Sequence, residues 1–335
     1  MFDLPLLLVV IVLVALLFDF TNGAHDCANA IATVVSTKVL TPKTAVLMAA
    51  CLNMLGAMMG TEVASTLGKG IVNTDMVAGC QGLVLAALIG ATAWNFITWG
   101  LGIPSSSSHA LIGGLMGAAI TYAGFESLNL QVVFMKILLP LVAAPLAGFL
   151  AGFIFMTIIT LVFANRRRAP ISRAFSHLQI LSSALAATSH GLNDAQKTMG
   201  VITLALFIFG EIETVTVPFW VKFACASIMA LGTATGGWKI IKTMGHKIFK
   251  MEPVHGFATE TSAALVITAS SLVGAPVSTT HTITACIFGV GCTKRASAVR
   301  WNIAGNLFVA WCITIPAAGF MAMLTFMLLY LAGIA

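Results

Sequence analysis

Two short polar motifs interrupt long apolar runs in this chain. One is Gly23-Ala24-His25-Asp26-Cys27-Ala28-Asn29-Ala30, and the other is Gly191-Leu192-Asn193-Asp194-Ala195-Gln196-Lys197-Thr198. Asp26 and Asn29 stand three residues apart, as do Asp194 and Lys197, so on a helix each pair shares a face. Asp19 and Asn22 precede the first motif and His190 precedes the second. Carboxylates and carboxamides gathered in apolar surroundings suit the binding of a cation or a proton. A single buried Asn is more often an interhelical hydrogen bond, but two carboxylates at matching places point to an ion or substrate path.

A second pair of motifs suits the opposite charge. Pro104-Ser105-Ser106-Ser107-Ser108-His109 and Pro276-Val277-Ser278-Thr279-Thr280-His281 each place hydroxyls after a proline. Proline is favoured in a helix's first turn, and Ser and Thr are favoured N-caps. Each run therefore reads as the start of a half-helix, whose free N–H groups and positive dipole end attract an anion. Ser106, Ser107, Ser108, Ser278, Thr279 and Thr280 add hydroxyl donors. A Ser/Thr-rich kink packed against its neighbours is the plainer reading, and its recurrence argues against it. His109 and His281 orient these hydroxyls, carry protons or serve packing alone. The adjacent Ser108-His109 suggests a hydrolase, but neighbours on a helix do not face each other, and nothing resembles a nucleophile elbow. No Walker loop or zinc-type spacing occurs.

The elements that must hold these groups follow from composition. Of 335 residues 59% are hydrophobic and 8% charged, against roughly 25% charged in a soluble domain. A soluble enzyme, a disordered chain and a nucleic-acid binder are excluded. A spanning helix needs about 20 apolar residues, which allows roughly eight to twelve crossings. Seven scattered Cys without a C-x-x-C pair read as packing residues. The first apolar run lacks a basic leader and reads as a retained helix.

The motifs recur at nearly constant offsets: 168 between the Asp motifs, 172 between the hydroxyl runs, and 176 between Leu55-Gly56 and Leu231-Gly232. The chain therefore divides into 1–165 and 173–335, joined by a basic linker at 166–172. Crossings are expected near 4–37, 44–66, 79–102, 105–122, 132–164, 174–209, 217–236, 256–274, 277–292 and 301–331. With the N-terminus outside, 13 of the 17 basic residues fall in cytoplasmic loops (Lys38, Lys43, Arg166, Arg167, Arg168, Arg173, Lys239, Lys242, Lys247, Lys250, Lys294, Arg295 and Arg300). Lys69, Lys136 and Lys222 fall outside and Lys197 at membrane depth. Five crossings per half is odd, so the halves run in opposite directions. The expected fold is an all-α polytopic membrane protein of two inverted-topology repeats, with broken or re-entrant helices at 105–122 and 277–292. That is a common build of secondary transporters, with the site at the midplane.

Electrostatics restricts the mechanism. A divalent oxyanion beside Asp26 and Asp194 brings four negative charges together at low dielectric. Lys197 and two helix ends cannot offset them, so the carboxylates are protonated or hold cations when the anion binds. Coupled symport follows. Glu260 is a third carboxylate in an apolar run, read either as a proton or cation carrier or as an interfacial acid at a helix start.

The four motifs, in order over nearly the whole chain, resemble those of the inorganic phosphate transporter (PiT) family. The resemblance implies a homodimer in a bilayer that moves phosphate with Na⁺ or H⁺ and needs no cofactor. It assigns Asp26, Asn29, Asn193 and Asp194 to ion binding, including a Na⁺ site, and Ser106, Ser107, Ser108, Ser278, Thr279 and Thr280 to phosphate. We add Asn193 and Lys197 to the anion site and His25 and Glu260 to the coupling-ion set. Sodium-coupled relatives usually carry Asn where this chain has His25. The His form resembles bacterial low-affinity members that use protons and carry phosphate as metal complexes, and His titrates near neutrality. The short linker also points to a prokaryotic plasma membrane. Na⁺-coupled phosphate symport, sulfate permeation and, distantly, intramembrane hydrolysis are the alternatives.

Overall fold

The computed structural model describes residues 5–77, 80, 82–166 and 168–334. Among them the chain is built almost wholly of helices: α1 (Leu6–Ser36), α2 (Pro42–Ala57), α3 (Glu62–Gly70), α4 (Gly82–Leu101), α5 (Ser107–Ala123), α6 (Leu130–Val162), α7 (Arg168–Ile208), α8 (Phe219–Thr235), α9 (Trp238–Lys242), α10 (Pro253–Leu272), α11 (Thr279–Lys294) and α12 (Trp301–Leu331). By length and hydropathy α1, α4, α6 and α12 suffice to cross a membrane, and α8 with the segment Trp238–Gly245 makes a bent fifth span. α7 is longer, at 41 residues, but its middle carries the second polar motif.

Burial is arranged for lipid, not for water. Along α6, Leu139, Val142, Leu146, Leu150, Ile154 and Ile158 are exposed, a helical stripe of apolar side chains that only a bilayer or another apolar face can cover. Asp19, Asp26, Asp194, Lys197 and Glu260 are meanwhile all buried. α1 and α7 pack on each other at the centre, α1 also against α8 and α7 against α2. Close approach there depends on glycine. A Cβ on Gly23 would lie 2.3 Å from the Met229 carbonyl oxygen, and one on Gly191 would lie 2.1 Å from that of Asn53. α4 with α5, and α10 with α11, form two hairpins; α12 covers the first and α6 the second.

Each hairpin turns at a glycine with positive φ, Gly102 (68°) and Gly274 (69°), a backbone state that glycine adopts without steric penalty. In both, the next residue's N–H closes the helix end, Ile103 on Thr98 O and Ala275 on Ser270 O, each at 2.9 Å. Ser106 Oγ then accepts from His109 N and Ser278 Oγ from His281 N, both at 3.2 Å. These are the N-caps of α5 and α11.

Two boundaries differ from the sequence expectation. The crossing expected at 44–66 is broken: α2 ends at Ala57 and α3 starts at Glu62. The cause is remote in sequence. Gln196 of α7 accepts from the N–H groups of Val63 (2.8 Å) and Ala64 (3.3 Å) and so caps the new helix start. The linker expected at 166–172 is largely helical, since α7 already begins at Arg168. Pro170 lies in its first turn, where proline is tolerated. Arg167 lies outside the described residues, as do positions 1–4, 78, 79, 81 and 335, which fall within the expected repeats.

Candidate anion and cation site

The two capped helix starts meet. The His109 and His281 rings are 4.5 Å apart, edge to face, and His281 stacks on Trp311 at 4.0 Å. Ser108 Oγ donates to Val277 O across the gap at 3.4 Å. The first-turn N–H groups of α5 and α11 have no intrahelical carbonyl, so both helices present donors to one small volume.

The carboxylates of α1 and α7 face that volume. Thr280 Oγ1 donates to Asp26 Oδ1 at 3.3 Å, Ser107 Oγ to Asp26 Oδ2 at 3.4 Å, and Thr279 Oγ1 to Asp194 Oδ2 at 2.9 Å. Asn29 Nδ2 donates to both Thr279 Oγ1 (3.2 Å) and Thr280 Oγ1 (2.9 Å). Lys197 spends its three ammonium protons on Asp194 Oδ1, Ser108 Oγ and Val277 O. His25 Nδ1 lies 2.7 Å from Asp26 Oδ1, and its Nε2 faces the hydroxyls of Thr98 (3.3 Å) and Ser105 (3.4 Å). All of these residues are buried. Motifs more than 160 residues apart therefore close on one cluster of two carboxylates, one ammonium and four hydroxyls.

Not every expected site residue joins it in the same way. Ser106 and Ser278 use their hydroxyl oxygens as caps. Asn193 turns to the second hairpin, donating to Ser271 Oγ at 2.8 Å and Ala275 O at 3.4 Å. Its Oδ1, like that of Asn29, has no hydrogen-bond partner among the described residues. Glu260 lies apart. It is fully buried, two turns into α10, and so it is not an interfacial acid at a helix start. Thr33, Ser182 (2.5 Å) and Gln179 (3.2 Å) donate to it. It thus ties α1, α7 and α10 together one or two turns from the cluster.

His190 received no role from the sequence, yet its Nε2 stands 3.0 Å from Asp194 Oδ2. The signal was present, since it lies one turn before Asp194, but an isolated His in a helix is usually a packing residue. Thr33, Gln179 and Ser182 were also missed, because single polar residues in an apolar run carry no pattern.

A family model described as the phosphate transporter family matches residues 22–322. The chain belongs to the phosphate transporter family. A "Probable low-affinity inorganic phosphate transporter" of Bacillus subtilis is 46% identical over 328 residues, 97% of this chain and 98% of that one. A protein of the same name from Rhizobium meliloti is 47% identical over 322 residues, 96% of each. A solved structure described as "The sodium-dependent phosphate transporter" superposes with a TM-score of 0.90 at 25% identity, covering 98% of this chain and all of its own. This phosphate transporter is a multi-pass plasma-membrane protein and not an enzyme.

Proposed function

We propose that the protein imports phosphate by symport and that protons are the coupling ions. The observation that carries this reading is the convergence of two hydroxyl-bearing helix starts on Asp26, Asp194 and Lys197 in a buried interior. In this reading Ser107, Ser108, Thr279 and Thr280, with first-turn N–H groups and Lys197, hold the anion. Ser106 and Ser278 keep those N–H groups aimed by capping. Asp26 and Asp194 then carry positive charge in with the anion, because four negative charges at close range repel by several kcal/mol each even at an effective dielectric near 20.

The 2.7 Å contact of His25 with Asp26 supports proton coupling, since it sets a ring nitrogen that can donate or accept a proton beside the carboxylate. Glu260 is a further carrier in this scheme, buried with three hydrogen-bond donors. Sodium coupling is the second reading. It is favoured by the name of the structural neighbour and by the Oδ1 atoms of Asn29 and Asn193, which have no hydrogen-bond partner among the described residues and are acceptors suited to Na⁺ beside Asp26 and Asp194. The inverted repeat belongs to the same proposal. It is supported by the matched glycine turns at 102 and 274 and by the reciprocal close approaches of Gly23 and Gly191. A homodimer, and phosphate carried as a metal complex, complete the reading that the resemblance implies.

The test is uptake of radiolabelled phosphate into proteoliposomes under an imposed pH or Na⁺ gradient. Accumulation driven by the pH gradient, lost in Asp26→Asn and Asp194→Asn, is expected. Accumulation driven by Na⁺ alone would overturn proton coupling, and normal uptake by both variants would overturn the site. Sulfate added in excess should leave phosphate uptake largely intact.

A further inference from the structure

Asp19 has no part in the transport scheme above, yet it is fully buried in α1. Thr198 Oγ1 of α7 donates to its Oδ1 at 2.9 Å. Its Oδ2 is buried with no hydrogen-bond partner among the described residues, and so is Oδ1 of Asn22, three residues on along the same helix face. The ion pairs among the described residues join Asp26 to His25 and Asp194 to His190 and Lys197, so Asp19 belongs to none. α8 packs on this stretch of α1, since a Cβ on Gly232 would lie 2.2 Å from Phe20 O. The titratable groups that face Asp19 from α7 and α8 are Asp194 and Cys225, neither of them a cation. Lys197 is committed to Asp194, Ser108 and Val277, and Lys222 of α8 is half-buried. α4, also packed on α1, carries no titratable side chain. An ionised Asp19 would set two open acceptors in one buried place, at the cost of an unpaired charge. A proton on Oδ2 turns one acceptor into a donor, which Asn22 Oδ1 accepts directly or through one water. Donor–acceptor balance therefore makes Asp19 a carboxylic acid.

That acid lies on a line. Asp19, Asp26 and Thr33 stand at seven-residue intervals along α1, two turns or about 10.5 Å apart, and share one face to within about 20°. Thr33 donates to Glu260. α7 runs antiparallel along this face and supplies partners at each level: Thr198 at Asp19, His190 and Asp194 beside Asp26, and Ser182 and Gln179 at Glu260. With the N-terminus of α1 outside, as the loop charges require, three carboxyl groups mark this seam at outer, middle and inner depth. Rows of acidic groups inside a membrane protein are a recurrent form of proton relay.

We propose that Asp19 is the outer proton-loading site of this transporter, which takes a proton from the outer side and passes it inward to Asp26. The inference rests on the reading of protons as the coupling ions and adds the residue by which they enter. The step moves one H⁺. The O–H bond of Asp19 breaks and leaves a carboxylate, an O–H bond forms on the Asp26 carboxylate, and the next proton from outside restores the acid at Asp19. Phosphate drives the transfer, because its negative charges beside Asp26 raise the hold of that carboxylate on a proton. Asn22, between the two on α1, presents Oδ1 to the proton in transit. Thr198 fixes the other oxygen of Asp19 and leaves Oδ2 to carry the proton.

The test compares Asp19→Asn with Thr198→Val, each as the full chain in proteoliposomes. Asp19→Asn keeps the shape and an acceptor for Thr198 but carries no proton. Thr198→Val removes the hydrogen bond and keeps the carboxyl. Uptake of radiolabelled phosphate driven by a pH gradient should fall about tenfold or more in Asp19→Asn. It should fall no more than about fivefold in Thr198→Val, the worth of one neutral hydrogen bond. Phosphate–phosphate exchange, which moves no net proton, should continue in both and shows that they are folded. The uptake left in Asp19→Asn should no longer respond to outer pH, whereas a purely structural defect would scale the wild-type response without flattening it. Normal pH-driven uptake by Asp19→Asn, equal losses in the two variants, or loss of exchange in Asp19→Asn would overturn the role of Asp19 and leave proton coupling of the wild type standing. Wild-type uptake driven by Na⁺ alone would overturn proton coupling itself, and the loading site with it.

Discussion

Lys197 permits a test that separates folding from transport. It is 2% exposed, and its three protons go to Asp194 Oδ1, Ser108 Oγ and Val277 O. Replacing it in Lys197→Met leaves the Asp194 carboxylate with only the Thr279 hydroxyl and His190. At an effective dielectric near 20 and roughly 3 Å separation, the lost attraction is about 5 kcal/mol. This agrees with the 3–5 kcal/mol typical of breaking a buried pair from one side. Asp194→Asn strands the ammonium and should cost a similar amount. The double variant buries no charge and should lie within about 2 kcal/mol of the wild type, because a neutral pair avoids desolvation. The coupling energy in the cycle should exceed about 2 kcal/mol. Unfolding in mixed micelles, followed by the fluorescence of the six Trp, measures all four proteins. Phosphate uptake should be lost in all three variants, the restored double variant included. Additive effects within about 0.5 kcal/mol would refute the argument that these two charges stabilise each other. Uptake by the double variant would refute their place in the site.

Three further variants test packing and hydrogen bonding. Gly191→Ala drives a Cβ to 2.1 Å from Asn53 O, so α2 and α7 must separate, and a loss of about 1–3 kcal/mol or more is expected. Gly100→Ala has nothing within 4 Å and should be neutral or slightly stabilising in the same melt. Glu260→Gln replaces the carboxyl group to which Thr33, Gln179 and Ser182 all donate. It should abolish gradient-driven accumulation while phosphate–phosphate exchange across the vesicle membrane persists. Loss of exchange as well would place Glu260 in the anion site instead.

Much of this molecule can be read along the chain. Hydropathy locates α1, α4, α6 and α12 within a few residues, since a bilayer-facing helix must be apolar over its length. Motif spacing marks Asp26, Asp194 and the two hydroxyl runs, because polar residues in apolar runs stand out. The break between α2 and α3 could not be read, since its cap is Gln196, over 130 residues away. The start of α7 was also set too late. The basic run Arg166–Arg168 resembles a loop, and propensity alone does not decide where a helix begins.

Pairing is what the tertiary structure alone decides. Composition, period and duplication are local properties, so the sequence by itself determined that this is an all-helical membrane protein with two sets of matching polar motifs. Which hydroxyl meets which carboxylate is a long-range property. Thr280 to Asp26, Thr279 to Asp194, and Thr198 to Asp19 each join residues from distant segments. Their geometry exists only once glycines such as Gly23 and Gly191 let the backbones close together. Glu260 shows the same division. Its presence in an apolar run was visible, but its burial under Thr33, Gln179 and Ser182, away from the central cluster, depends on how α1, α7 and α10 pack.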